Sequence, residues 1–235
     1  MLKEITLACY VQGHPNQFIN SHTWFVSELY CSFLKHYNAN KVVKCNIDIK
    51  DDWGAYSENY VKHTNVITIK LNFDFEKYLL LPKLEMKKML LNILHKGMMM
   101  IAENDRWEID KLLDAYNNCL KQNLEYNFFV KNGKLLSSPN RKYKVGLWCE
   151  WDIDKFEVYY ILFGKDSIEI KRNLFINCIP SFGEFIYYTN SKPINLCLVI
   201  KFQKDFYYQN RHIVFDNPKT SLRVSVLVKW LNLKH

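Results

Sequence analysis

Three carboxylate residues, Glu150, Asp152 and Glu157, lie close together in the C-terminal half of the sequence. Glu150 and Asp152 are two positions apart, so a β-strand would present both side chains on one face. A tight turn near Asp154 and Lys155 would then place Glu157 opposite Asp152 on the same face. Carboxylates gathered in this way bind divalent metal ions and support hydrolysis at phosphate groups. A metal-dependent hydrolase or nuclease is therefore one interpretation of the sequence.

The sequence around these acids favours a simpler interpretation. Glu157 is followed by Val158 and Tyr159, whereas a nuclease of this kind would carry a spaced lysine there. Three acids that point outward from a solvated strand produce the same pattern. The chain also lacks H-E-x-x-H, C-x-x-C, G-x-S-x-G, G-x-x-x-x-G-K-[ST] and G-x-G-x-x-G motifs. We therefore expect no catalytic residues, no metal ligands and no cofactor.

Aromatic residues next to the acids indicate a surface for binding a partner. Trp148 alternates with Cys149, so it shares a strand face with Glu150 and Asp152, and the turn would add Glu157 and Tyr159 to that face. Exposed Trp and Tyr often anchor protein interfaces. The predicted partner-binding residues are Trp148, Glu150, Asp152, Glu157 and Tyr159. Their acidic rim predicts a basic partner surface. The alternative is that the helix pair described below covers this face.

The basic composition gives little support for nucleic-acid binding. The formal net charge is +8, but the lysines are spread along the whole chain. Nucleic-acid-binding proteins more often concentrate basic residues on one face. The densest basic stretch, residues 131–144, is interpreted as a solvated loop. A lysine-rich nucleic-acid-binding module is therefore kept only as a second alternative.

The location of the protein is inferred from what the sequence contains and lacks. Seven cysteines at irregular spacing indicate free, buried thiols in a reducing compartment. The N-terminal residues carry early charges and lack the apolar core of a signal peptide. No apolar run is long enough to span a membrane. We expect a cytoplasmic protein with no membrane association.

Two consecutive helices between Pro82 and Asn123 are the central structural prediction. Pro82 is suited to a helix start, and Asp105 with Glu108 has the form of a capping box for the second helix. Gly97 is interpreted as a close-packing position. Apolar residues recur at helical spacing in both segments, and they are Leu84, Leu91, Leu94, Met98 and Ile101, then Ile109, Leu112, Leu113, Tyr116 and Leu120.

Alternating patterns predict strands on both sides of this helix pair. The N-terminal part reads as a strand over 2–11, a helix capped by Ser21 or Thr23 that runs to about Tyr37, a strand over 43–49, an irregular connection over 51–65 and a strand over 67–75. The strand–helix–strand unit permits a parallel crossover or an antiparallel arrangement.

Residues after Asn123 alternate with a period of two almost to the end of the chain. Asn132-Gly133 predicts a hairpin turn, and strands are predicted over 126–130, 143–151, 156–163, 168–176, 185–188, 196–202, 212–215 and 222–230. The fold class is therefore α+β, with a mixed or antiparallel sheet, an N-terminal strand–helix–strand unit, a central helix pair and a C-terminal antiparallel meander. Few Gly and Pro residues favour one domain over 1–235, with possible sub-lobes 1–123 and 124–235.

The absence of catalytic motifs favours a binding protein over an enzyme. The leading hypothesis is a non-enzymatic bacterial protein that binds a protein partner. One form of it is an immunity protein that neutralises a toxin, an analogy at the level of class only. The basic isoelectric point of about 9.0 fits poorly with the neutralisation of a basic nuclease toxin.

Overall fold

The computed structural model describes residues 1–11, 14–133, 135–137, 141–178 and 180. The strands predicted over 185–188, 196–202, 212–215 and 222–230 lie outside the described residues, as does Cys197. Helices and strands are both abundant, and they form one mixed sheet and one antiparallel sheet. The α+β prediction is therefore confirmed.

The N-terminal sheet contains five strands in the order β2-β1-β3-β5-β4. They are β1 (Glu4–Val11), β2 (His14–Pro15), β3 (Lys44–Lys50), β4 (Tyr60–His63) and β5 (Val66–Asn72). The three central strands β1, β3 and β5 are parallel, whereas β2 and β4 pair antiparallel at the edges. Of the two arrangements that the sequence left open, the structure has the parallel one.

Buried and half-buried residues alternate along the central strands of this sheet, so one of its faces is buried. Cys45, Ile47 and Ile49 of β3 are fully buried, as are Ile67 and Ile69 of β5, and the residues between them on both strands are half-buried. The helix α1 (Gln17–Ser32) connects β1 to β3 and contacts β1. Burial of one face against helices therefore fixes the strand register.

The start of α1 differs from the prediction. Asn16 is the N-cap, and its side-chain oxygen accepts a hydrogen bond at 3.0 Å from the backbone N–H three residues later. Ser21 and Thr23 lie inside the helix, where their hydroxyls donate to carbonyl oxygens three residues earlier. The helix also ends at Ser32, before Tyr37. Both predicted caps were wrong because Asn16 offers an acceptor five residues before Ser21.

The segments on either side of β5 also differ from the sequence prediction. The connection over 51–65 contains β4, which forms a hairpin with β5. The predicted strand over 67–75 ends early, at Asn72. Asp74 accepts a hydrogen bond from the backbone N–H of Lys77 at 2.8 Å and caps a short helix, α2 (Phe75–Leu79). The apolar alternation thus continues past the point where a capping residue ends the strand.

The predicted helix pair is present as α3 (Lys83–Asp105) and α4 (Asp110–Lys121). Pro82 precedes the first residue of α3. The predicted capping box is wrong, because Asp105 is the last residue of α3 and its carboxylate binds Tyr60 and Lys62. The residue that precedes α4 is Ile109, which makes no side-chain capping bond.

Most of the predicted apolar stripe of this pair is buried in the core. Leu91, Leu94, Met98, Ile101 and Leu112 are fully buried, whereas Leu84 and Leu113 are exposed. Leu84 lies in the first turn of α3, and Leu113 is one position around the helix from the buried Leu112. Helical spacing identified the stripe correctly but extended it beyond the part that meets other elements.

The C-terminal sheet is antiparallel. Its strands are β6 (Tyr126–Phe129), β7 (Leu136–Ser137), β8 (Lys144–Trp151), β9 (Phe156–Phe163) and β10 (Glu169–Cys178). The order is β10-β9-β8-β6, and β7 also pairs with β8. The meander predicted for this part of the chain is thus present in β8, β9 and β10.

Asn132-Gly133 does not form the predicted hairpin turn. These residues lie in a single 3-10 turn over Val130–Gly133, and β6 before it and β7 after it pair with the same strand, β8. The chain therefore continues along one edge of β8 and does not reverse. Gly133 still has a positive φ of 79°, so the sequence signal reported the backbone conformation but not the topology. The basic stretch 131–144, predicted as a loop, contains β7.

The hydrophobic core is continuous between the two sheets. Cys149, Trp151 and Val158 of the C-terminal sheet belong to the same buried cluster as Phe25 of α1 and Leu91 of α3. Among the described residues, no helix is long and apolar enough to cross a membrane.

Two neighbouring leucines on α4 test the burial of the helix pair. Leu112 is fully buried and Leu113 is 40% exposed. We expect Leu112→Ala to lower the free energy of unfolding by about 2–5 kcal/mol, because it leaves a cavity. Leu113→Ala, the matched control, should cost less than about 1 kcal/mol. Urea melts of both variants measure the difference, and equal losses would place α4 outside the core.

The contact between α3 and β3 gives a second stability prediction. A Cβ atom added at Gly97 would lie 2.6 Å from Cγ1 and 3.0 Å from Cγ2 of the buried Ile47. The predicted close-packing role of Gly97 is therefore confirmed. Gly97→Val should destabilise the protein by about 1–3 kcal/mol through overpacking. Glu103→Val, at an exposed position of the same helix, is the control and should leave the denaturation midpoint nearly unchanged.

Candidate functional site

Four of the five residues predicted to bind a partner lie together on the C-terminal sheet. The β8–β9 register pairs Trp148 with Tyr159 and Glu150 with Glu157. Cys149, between them, is fully buried in the core. The four side chains therefore share the face that points away from the core, as their alternation predicted. This surface, with Arg172 of β10, is called the outer face below.

Asp152 is not part of the outer face. The register pairs Trp151 with Phe156, so Asp152 falls in the turn beyond the ladder. Its carboxylate lies 2.9 Å from the ammonium of Lys83 and 3.3 Å from that of Lys87, both on α3. The predicted position of Asp152 opposite Glu157 was wrong, because the turn lies one residue earlier than predicted and Glu150 occupies that position.

The two glutamates of the outer face are held by neighbouring donors. Lys155 places its ammonium 2.7 Å from Glu157 and 3.7 Å from Glu150. Tyr159 donates its hydroxyl hydrogen to Glu157 at 3.1 Å, and the indole N–H of Trp148 donates to Glu150 at 3.2 Å. The hydrogen bond from Lys155 lowers the pKa of Glu157 below its usual value. The acids and the aromatic rings thus form one bonded network.

The three-carboxylate arrangement of the hydrolase hypothesis is not formed. Glu150 and Glu157 are cross-strand neighbours, but Asp152 is directed to α3. Within the part of the chain that the structure describes, no group of three or more His, Cys, Asp or Glu side chains is arranged to hold a metal ion.

Arg172 is a central member of the outer face that the sequence analysis did not identify. Its guanidinium carbon lies 5.8 Å from the ring centroids of both Trp148 and Tyr159. Glu169 accepts two hydrogen bonds from it, at 3.0 and 3.1 Å. Register shifts lie on both sides of Arg172 in β10, so its position opposite β9 follows from bulges that the sequence does not mark.

The outer face is separate from the hydrophobic core. Trp148 and Tyr159 are half-buried, and neither belongs to the set of partly buried side chains that pack against the core. Phe129 of β6 contacts Trp148 edge-on, with ring centroids 4.7 Å apart. Ile161 also points outward and is fully buried outside the core cluster. A small apolar cluster therefore lies on the side of the sheet opposite α3 and α4.

Many lysines already form ion pairs with acidic side chains of the same protein. In the described part of the chain, eight lysines lie within 4.0 Å of a carboxylate, and they are Lys44, Lys62, Lys83, Lys87, Lys88, Lys96, Lys111 and Lys155. A polyanion would have to compete with these intramolecular carboxylates. Ion pairing thus gives no support to the nucleic-acid alternative.

Histidine and cysteine side chains often act in catalysis or metal binding. In the described part of this chain, two histidines make hydrogen bonds within the fold, and the cysteines are unreactive or unpaired thiols. His22 shares a hydrogen bond with Tyr78 at 2.8 Å, and His95 shares one with Tyr30 at 2.9 Å. The six described cysteines are free thiols. Burial raises the pKa of the Cys149 thiol to about 12, which leaves it in the unreactive thiol form.

Comparison of the chain with protein-family models, with curated proteins and with solved structures finds no match. The functional inference therefore depends on the outer face itself.

Two histidines, the buried His22 and the half-buried His95, predict a pH dependence of stability. Burial lowers the pKa of His22 and of His95 from the ordinary value of 6.5. The folded state thus disfavours their protonation, so their contribution is fully present above about pH 6.5 and decreases as the pH falls below it. Burial raises the pKa of Asp48 to about 6. This carboxyl therefore makes the folded state more stable as the pH falls, which opposes the effect of the histidines. A comparison of variants separates the two contributions.

His95→Gln should therefore be less sensitive to acid than the wild type. We expect the difference in the free energy of unfolding between wild type and His95→Gln to change between pH 7 and pH 5. His63→Gln replaces an exposed histidine and should run parallel to the wild type. Urea melts at several pH values measure all three. Parallel curves for His95→Gln and wild type would contradict the role of His95.

Proposed function

We propose that this protein binds a protein partner through its outer face. The observation that carries the proposal is the contact of Trp148, Tyr159 and Arg172 on a surface that does not pack against the core. Trp, Tyr and Arg are the residue types most enriched among the hot spots of protein interfaces.

The surroundings of these three residues resemble the rim of an interface. Glu150, Glu157 and Glu169 lie around the aromatic pair, and they bond to Trp148, Tyr159, Lys155 or Arg172. Three carboxylates against two cations leave a slight excess of negative charge. The rim therefore favours a partner surface that is neutral or basic.

Hydrogen bonds also restrict the side chains before any partner arrives. The polar ends of Trp148 and Tyr159 are each bonded to a glutamate two residues away in sequence. Side chains that are already ordered lose less conformational entropy on binding. The outer face is thus preorganised for an interface. An immunity protein that holds a toxin is the narrower form of this proposal, and the partner's identity will decide it.

Site-specific photo-crosslinking can identify the partner. Leu174 is opposite Tyr159 in the β9–β10 ladder and is 44% exposed. Leu113 on α4 has a similar exposure of 40% and serves as the matched control. A benzophenone amino acid at position 174 should give an adduct in cells that is absent from position 113, with mass spectrometry as the readout. Identical adducts at both positions would contradict a specific outer-face interface.

Truncation of Trp148 then tests the interface with the purified partner. We expect Trp148→Ala to weaken the complex by about 2 kcal/mol or more, which is roughly 30-fold in Kd. Trp53→Ala is the control, because it removes a half-buried indole that lies between β3 and a 3-10 turn over Gly54–Tyr56, away from the outer face. It should leave Kd unchanged. Isothermal titration calorimetry gives the affinities.

Thermal melts of the same variants separate binding from folding. Trp148→Ala should remain folded, because its indole lies outside the core. Tyr159→Ala provides an independent truncation of the same face if Trp148→Ala melts early. Folded variants of both residues that bind with wild-type affinity would overturn the proposal.

A further inference from the structure

Arg172 has N–H groups that form no hydrogen bond with the residues that the structure describes. A guanidinium group carries five N–H donors in a planar fork. Nε and NH2 each donate to the carboxylate of Glu169, at 3.0 and 3.1 Å. NH1 lies 3.7 Å from Glu150, beyond hydrogen-bonding distance. Among the described residues, Arg172 makes no hydrogen bond through NH1, and its side chain is 38% exposed.

The position of this guanidinium is fixed from two directions. The bidentate contact with Glu169 sets its plane, and the rings of Trp148 and Tyr159 lie at equal distances of 5.8 Å from its central carbon. Cation–π contacts and a carboxylate fork both restrict the motion of an arginine. The free N–H groups at NH1 are therefore held next to an apolar surface and available to another molecule.

The charges beside NH1 select the type of acceptor. A carboxylate that approached NH1 would also approach Glu150 and Glu169, and like charges in close contact are unfavourable. A neutral carbonyl oxygen accepts the same hydrogen bond without this repulsion. Main-chain carbonyl groups and Asn or Gln side chains are the neutral acceptors that a protein offers.

We propose that Arg172 is the residue of the outer face that recognises a linear peptide segment of the partner. An extended segment offers unpaired main-chain carbonyl groups, whereas those of a folded surface are mostly already hydrogen-bonded. This inference depends on the proposed protein-binding function. NH1 donates to a neutral carbonyl oxygen of the segment, and the rings of Trp148 and Tyr159 contact a side chain next to that carbonyl. Recognition of this kind selects segments poor in Asp and Glu.

A displayed library of random linear peptides is the probe. Peptides are selected on the purified full-length protein and counter-selected on Trp148→Ala, so that the survivors require the outer face. Their affinities are then measured for the wild type, Arg172→Lys and the matched control Arg141→Lys, whose arginine is exposed outside the outer face. Lysine keeps the charge but lacks the planar fork.

The proposal predicts three results together. Arg172→Lys should weaken the selected peptides about tenfold, and Arg141→Lys should leave their affinity unchanged. The peptides should be depleted in Asp and Glu. Their affinity should change by less than about twofold as salt is raised from low to physiological concentration, because the recognised acceptor is neutral. Thermal melts should show Arg172→Lys to be folded like the wild type.

The unfavourable outcomes separate the two proposals. Peptides that lose affinity for Trp148→Ala but bind Arg172→Lys normally would overturn the role of Arg172 and support the outer face. Acidic peptides with a steep salt dependence would overturn the neutral acceptor. If no peptide distinguishes the wild type from both Trp148→Ala and Tyr159→Ala, the outer face does not bind linear peptides, and the inference is wrong. The crosslinks at Leu174 then decide the proposed function independently.

Discussion

The buried ammonium of Lys87 is the constraint on which the arrangement of the C-terminal sheet depends. Lys87 is 6% exposed, donates to the carbonyl oxygen of Leu124 at 3.0 Å and lies 3.3 Å from the carboxylate of Asp152. Loss of Asp152 would leave the buried ammonium of Lys87 without its nearby carboxylate, which is unfavourable. This cost ties the β8–β9 turn and the start of the C-terminal sheet to α3.

The outer face follows from this attachment and from the pleat of the strands. Once the turn is held against α3, Cys149, Trp151 and Val158 enter the common core. Side chains at the alternate positions must then point away from it. Trp148 and Tyr159 therefore lie outside the core, half-buried on the other side of the sheet. Burial of the core does not by itself require aromatic residues at these two positions.

Sequence patterns predicted which side chains of one strand share this face. They did not predict which residues lie opposite one another on neighbouring strands. A period of two separates Trp148 from Cys149 in any arrangement of the strand, so the shared face could be predicted. Asp152 and Arg172 could not be placed in the same way, because one depends on the exact turn and the other on bulges in β10. The cap of α1 was missed for a similar reason, since several polar residues near Asn16 could have satisfied the helix N-terminus.

The two sheets carry different side chains at the centre of the face opposite their buried side. The N-terminal sheet also has a face opposite its buried side. Its central positions there are Thr6, Ala8, Asn46, Asp48, Thr68 and Lys70, and Tyr10 lies at one end with its ring centroid 6.0 Å from that of Trp53. The corresponding face of the C-terminal sheet carries two large aromatic rings under an arginine. The central positions of this face of the N-terminal sheet are thus mostly polar and half-buried. Aromatic side chains on an equivalent face, ordered by glutamates and outside the core, fit a surface that contacts another protein.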